Sequence, residues 1–337
     1  MALQSSGAIS LNNVNVELGN SGTAYITMGS AAVRDLFGVA SGAISLSDGY
    51  GASSFTSSDR AIIAGGDGSL NNMDYYTISS TSNSSDFGNL TVGRSSLAGC
   101  ASATRGCFAG GRGGAGTTDV IDYITIATTG NATDFGNMTS IKEWQQGQVN
   151  SSTRGVFAGS NLSSIDYITI ASTGNASDFG DQSVWHFFSA GTSSDTRGVW
   201  GGGAVSGNTP TNIIDYITIA STGNATDFGD LTVARKQNGA LSSETRGIWA
   251  GGELSYAYRD EIDYITIAST GNATDFGNLL GIIRGAAGAS NGTRGTLNGG
   301  RLSNVIQYIT IASTGNATDF GDLLQNMEIG VGISGDF

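Results

Sequence analysis

From about residue 60 onward the chain alternates short apolar runs with turns rich in Gly, Ser, Thr and Asn, and this alternation itself recurs. The stretch IDYITIASTGNATDFGD at 214–230 has five relatives, at 73, 121, 165, 262 and 306. Tyr75, Tyr123, Tyr167, Tyr216, Tyr264 and Tyr308 mark the copies at intervals of 44 to 49 residues. The β-branched and aromatic mixture Tyr-Ile-Thr-Ile suits a pleated surface. A second motif keeps the same beat. Arg60, Arg105, Arg154, Arg197, Arg246 and Arg294 each open an apolar run that closes on small residues, as in TRGIWAGG at 245–252. Each unit therefore predicts four strands: a variable strand a, strand b from Arg to Gly-Gly, strand c at Ile-Asp-Tyr and strand d at Asp-Phe-Gly. A period of this length belongs to solenoids and propellers.

Composition changes this picture little. With 53 Gly, a single Pro and 13% charged residues, the chain has little with which to build long helices. Its length would allow two domains, but the repeats form one continuous array, expected to occupy 56–337. Residues 1–55 stand outside it, with an echo of their own, SGAISLNNVNVELG and SGAISLSDGYG, around a segment at 30–39 that predicts one short helix. Alternation in Ala-Ile-Ser-Leu predicts small strands there, too few for a separate core. The last residues, 327–337, read as a strand a with no strand b after it, while the strand b at 60–66 lacks a clear strand a before it. Pairing these two would close the array and leave no long sheet edge.

The order of Gly-Gly (Gly110-Gly111, Gly202-Gly203, Gly251-Gly252), a Tyr on the next strand and an aromatic on the outer strand resembles the kelch family. The chain departs from kelch repeats in having Phe135, Phe228 and Phe276 where they carry Trp, and Gly159-Ser160 in the third copy. The resemblance implies an all-β fold: a six-bladed β-propeller of four-stranded blades, closed by the C-terminal strand. It implies no particular chemistry. Residues 1–55 resemble the start of structural proteins of tailed bacteriophages. That resemblance implies an anchoring segment bound to other virion proteins, a location in the virion, and a propeller head serving as tail fibre, adhesin or capsid decoration, with a homo-oligomer in the particle compatible with it.

Antiparallel order puts the a–b and c–d turns, nearly identical in every copy, at one end of the sheets, and the variable b–c and d–a connections at the other. Recognition is expected on the variable end. Arg94, Lys142, His186 and Arg235 share one register, seven residues after the strand-d Phe, and Trp144 and Trp185 flank it. Together with Lys236, Tyr256, Tyr258, Arg259 and Arg284 they form a candidate basic and aromatic rim on a protein of net charge −13. Such a rim suits an acidic host-surface glycan, by stacking and ionic hydrogen bonds; the alternative is that this register packs the blades together. The repeated arginines are expected to pair with the repeated aspartates.

Other readings are weaker. Asp-Phe-Gly recurs without the glycine loop, lysine and catalytic loop of a kinase, and the Asn-Ala-Thr/Ser sequons read as turns. Cys100 and Cys107 read as core thiols on adjacent strands, a cross-hairpin disulfide being the alternative. Spacings for a metal site, an EF-hand or a Ser-His-Asp set are not found, nor are the Asp-boxes of sialidases. No enzyme, cofactor or metal is expected. The start MALQSSGAIS has neither a basic nor an apolar signal region, no run is long enough for a membrane helix, and the acidic balance argues against nucleic acid. A kelch-like scaffold for another protein is the second functional reading; a glycan depolymerase using Glu143 or Glu328 is the third.

Overall fold

The computed structural model describes residues 59–142, 146–147, 149–158, 162–301 and 303–335 and, before these, Val14, Leu18, Val33 and Leu36. The chain divides into two units, 1–56 and 57–337. In the first, Val14, Val33 and Leu36 are helical; the strands expected around Ala-Ile-Ser-Leu and the rest of the segment at 30–39 lie outside the described residues.

The second unit is all-β. Its first sheet runs, from one edge to the other, Val331–Ser334, Arg60–Ala64, Asn72–Thr77 and Ser85–Asn89, all antiparallel. The expected pairing of the last strand with the first is present: Ile333 faces Ile62 and Val331 faces Ala64. The second, fourth, fifth and sixth sheets each carry the a, b, c and d strands in sequence order, beginning at Ala98–Ala101, Ala190–Ser193, Gly239–Ser242 and Ala287–Ser290.

The third sheet differs from the four-strand expectation. It has three regular strands, Arg154–Phe157, Ser164–Thr169 and Ser177–Asp181, and its strand a is reduced to one bridge, Asn150 to Gly155. The Asn150 side chain does the work of a backbone unit there: its amide donates to Ala101 O at 2.7 Å and its carbonyl accepts from Ala101 N at 3.3 Å. The residues just before it, Gln146–Gly147, pair parallel with the fourth sheet instead.

Each sheet buries one face against the next. Leu241, Ile248 and Phe276 of the fifth sheet meet Leu297, Ile309 and Ile311 of the sixth. Ala61, Ile63 and Tyr76 of the first sheet pack on Ala287, Ile306 and Phe320 of the sixth. On the other side of the first sheet, a side chain at Gly99 or Gly106 of the second would collide with Ile333. Cys100 and Cys107 are free thiols in the layer between the second and third sheets, the core-filling reading.

The conserved wording of the repeat is consumed in joining sheets. Each repeated arginine lies over the Tyr of its own sheet, 4.3–4.7 Å from the ring centre. It donates to an Ile carbonyl of the following sheet, as Arg105 does to Ile170 O at 2.9 Å. The series ends with Arg294 on Ile78 O of the first sheet. Among the described residues the expected pairing of these arginines with aspartates is corrected: Arg105, Arg154, Arg197, Arg246 and Arg294 meet an aromatic face and a carbonyl left open at the c–d turn. That turn also reaches back. Asn131 Oδ1 accepts from Asn89 N at 3.0 Å, and Gly130 N donates to Phe87 O. The Gly after each strand-d Phe allows this approach: at Gly136, φ +146, a Cβ would stand 2.4 Å from Gly174 O.

Candidate functional site

The register seven residues beyond the strand-d Phe does not form an exposed rim. Arg94, Lys142, His186 and Arg235 are fully buried, because each turns inward to a strand-c aspartate of the next repeat motif. Arg94 meets Asp122 at 2.7 Å, Lys142 meets Asp166 at 2.9 Å and Arg235 meets Asp263 at 2.9 Å, with every one of these side chains at 0% exposure. Backbone carbonyls complete the shells: Val120 O and Phe108 O for Arg94, Ser164 O for Lys142, Glu261 O and Trp249 O for Arg235. Burial pushes the Arg94, Lys142 and Arg235 pKa values down and the aspartates oppose it; burial likewise pushes Asp122 up against Arg94 and Thr91. A cation spent this way has no face to offer a ligand, so these four leave the candidate rim and serve packing within the sheets, the alternative reading.

His186 is the odd member. Its Nδ1 lies 2.8 Å from Val184 O, so the proton of the neutral ring sits on Nδ1 and Nε2 is a bare acceptor. Among the described residues Nε2 has no partner, and neither has Oδ2 of the facing Asp215, whose Oδ1 accepts from Ser183. Burial lowers the His186 pKa while Asp215 opposes it, and burial raises that of Asp215 against Ser183 and His186. The remaining two registers are not cationic. In the Ile283 register, the strand-c residue of the next motif is Gln307, whose Oε1 accepts from Leu280 N at 2.8 Å. Met327 is buried, and Asp74 takes Ser84 Oγ and Leu324 N as donors instead. An Asp in the next motif where this register holds Arg, Lys or His, and Gln307 where it holds Ile283, was the signal in the repeats, with Met327 and Asp74 the exception.

The variable end keeps the rest of the candidates. Trp144, like Glu143, lies outside the described residues. Trp185 is half-buried, 5.4 Å from Phe187, whose ring in turn meets that of Phe188 at a tilt of 54°. Lys236 is nearly buried, beside Glu253 and bonded to Asn208 Oδ1. Arg259 Nε donates to Glu261 at 2.9 Å. Arg284 holds two carboxylates, Glu253 and Glu328; that salt bridge gives Glu328 a structural partner. Tyr258 lies between Arg284 and Arg301, 5.2 and 5.4 Å from its ring centre, and Arg301 donates to its hydroxyl. Tyr256 is 92% exposed. Arg301, absent from the sequence-based rim, belongs to this cluster; its place in a b–c connection was the available clue.

Among the described residues the exposed large apolar side chains are Val92, Ile141, Leu162, Val184, Tyr256, Leu280, Ile282 and Leu324. Every one of them sits at the b–c and d–a end of its sheet, and none at the repeated turns. No protein-family model matches the chain, and no curated protein does.

Proposed function

We propose that residues 57–337 form a closed, kelch-like six-bladed propeller, displayed on a tailed-phage particle and used for attachment to an acidic glycan of the host surface. Closure is supported by the cyclic order of the contacts, in which the first sheet packs on both the second and the sixth and the arginine-to-carbonyl series returns to Ile78. The virion assignment rests on the resemblance of residues 1–55. The observation that carries a binding role is the asymmetry of the two ends: the repeated turns bond to neighbouring sheets, whereas the exposed apolar side chains and the exposed Arg112 and Arg301 gather at the other end. Exposed apolar surface concentrated on one face marks an interaction site, and a rigid scaffold carrying variable loops is the usual way to present one.

Antibodies against residues 57–337 should label purified particles and block adsorption to host cells. Particles that are not labelled would overturn the virion reading, and labelled particles that adsorb normally would turn the propeller into an internal or decorative scaffold. The scaffold reading is favoured by one feature, the aliphatic character of Val92, Ile141, Leu280 and Leu324, which suits a protein surface better than a sugar.

A further inference from the structure

The b–c connection of the fifth sheet is a tight hairpin. Glu253 pairs with Tyr258 and Leu254 with Ala257, so Ser255 and Tyr256 alone make the turn. Both have positive φ, +50° and +68°, the conformation for which Asn-Gly is the usual choice. A tyrosine held there against its backbone preference, and almost wholly exposed, contributes nothing visible to folding. The hairpin edge is also occupied, because Glu253 and Lys236 exchange both backbone hydrogen bonds. An extended peptide therefore has no strand edge to join here.

Four cations surround this hairpin and their situations differ. Lys236, Arg259 and Arg284 each hold a glutamate. Arg301 holds none among the described residues: it is exposed, its Nη1 donates to the Tyr258 hydroxyl and its guanidinium lies over the Tyr258 ring. A neutral partner thus orients Arg301 without neutralising it. The remaining donors of its planar fork match a carboxylate or sulfate in two-point contact, while an exposed aromatic offers the apolar face of a sugar ring a stacking platform.

We propose that Arg301, oriented by Tyr258, and Tyr256 at the hairpin tip form the anchor point for one acidic sugar unit bearing a carboxylate or sulfate. The inference rests on the attachment reading and narrows it to this hairpin. The full-length protein should be retarded in affinity electrophoresis by polygalacturonate or dextran sulfate and not by neutral dextran, the two acidic polymers separating carboxylate from sulfate as the preferred group. Arg301→Gln should weaken binding about tenfold and remove most of its salt dependence, since an exposed ionic contact is screened. Tyr256→Ala should weaken it about tenfold, equally at low and high salt. Asn224→Ala, in a repeated turn, should bind as the parent does. Parent-like binding by both hairpin variants, with loss in an Arg112→Gln variant, would overturn this site and leave attachment through the variable end intact. Failure of the parent to bind either acidic polymer would overturn the sugar assignment, and binding of polyglutamate through Arg301 instead would replace the sugar with an acidic peptide. If antibody against the unit still blocked adsorption in those cases, attachment would stand without this ligand.

Discussion

The two ends of the sheets are made under different rules. At the repeated-turn end, one phrase of sequence recurs because each of its residues has a partner in the adjacent sheet: Arg105 with Ile170 O, Asn175 with Asn137 N, Gly174 N with Phe135 O. At the loop end, backbone strain and exposed apolar side chains are tolerated. Identity between copies here reports packing, and departure from it reports exposure. The buried cation register lies close to the loop end yet obeys the first rule, which is why it misleads a reader of the sequence.

The largest effect should come from breaking that register. Asp263→Ala would leave the wholly buried Arg235 without its carboxylate, and removing one partner of a buried pair costs about 3–5 kcal/mol. Gln307→Ala, at the place in the repeat equivalent to Asp263, removes one neutral acceptor for Leu280 N and should cost about 1 kcal/mol. Thermal or urea unfolding of the two variants checks the difference. Equal losses would mean that Arg235 finds water on losing Asp263, and that the register is less enclosed than its geometry indicates.

Among the repeated glycines, those of strand d and those of the c–d turn should separate next. A Cβ at Gly229, φ +147°, would stand 2.5 Å from Gly271 O, whereas one at Gly223, φ +158°, meets nothing within 4 Å. Gly229→Ala must push two sheets apart and should cost about 3 kcal/mol, in the range of a serious overpacking. Gly223→Ala carries only its backbone strain and should cost about 1 kcal/mol. Chemical denaturation midpoints decide, and an indifferent Gly229→Ala would remove the explanation given for the repeated Asp-Phe-Gly.

His186 sharpens the comparison through pH. Its folded pKa is lowered by burial, so the unfolded chain takes up the proton more readily. Its contribution to stability is therefore present above about pH 6.5, the ordinary histidine value, and is lost as pH falls from there toward the folded pKa. Asp215 runs the other way: its raised pKa means that its favourable contribution holds at low pH and is lost as pH rises through the folded value. His186→Arg would supply the fixed cation found at Arg94 and Arg235, give Asp215 Oδ2 a donor and remove the imidazole titration. The variant should be more stable than the parent at pH 7, by up to about 1–3 kcal/mol for a satisfied buried acceptor, and its melting temperature should fall less between pH 7 and 5. A parent and variant with parallel pH profiles would show that the His186 ring already has a partner.

Strands b, c and d were legible from the repeat because their residues answer to local rules: period-two alternation, Thr-Gly-Asn turns and a Gly where two backbones meet. The pairing of Val331–Ser334 with Arg60–Ala64 could be inferred by counting strands. The reduced strand a of the third sheet was not legible, since Asn150 does its work with a side-chain amide. Nor were the partners of Arg94, Lys142 and Arg235, which lie 24 to 28 residues on in the chain. A cation near a variable loop looks the same in sequence whether it faces water or an aspartate. The hairpin at 253–258 lacked the Asn-Gly signal that would announce it, and that lack is itself its distinguishing property.

The smallest expected change has the opposite sign. If the loop end gives up stability in order to display Tyr256, replacing Ser255-Tyr256 by Asn-Gly should suit the turn better, because both positions have positive φ and Gly adopts it without steric cost. The gain should be about 1 kcal/mol, or a rise of about 2 °C in melting temperature for a chain of this size. The same replacement removes the exposed ring and should abolish the aromatic part of binding while leaving the Arg301 contact with Tyr258 in place. A more stable protein that binds less well is the outcome that separates display from folding. A variant that melts lower than the parent would mean that Tyr256 packs on its neighbours in solution, and the loop end would then be as much a structural element as the repeated turns.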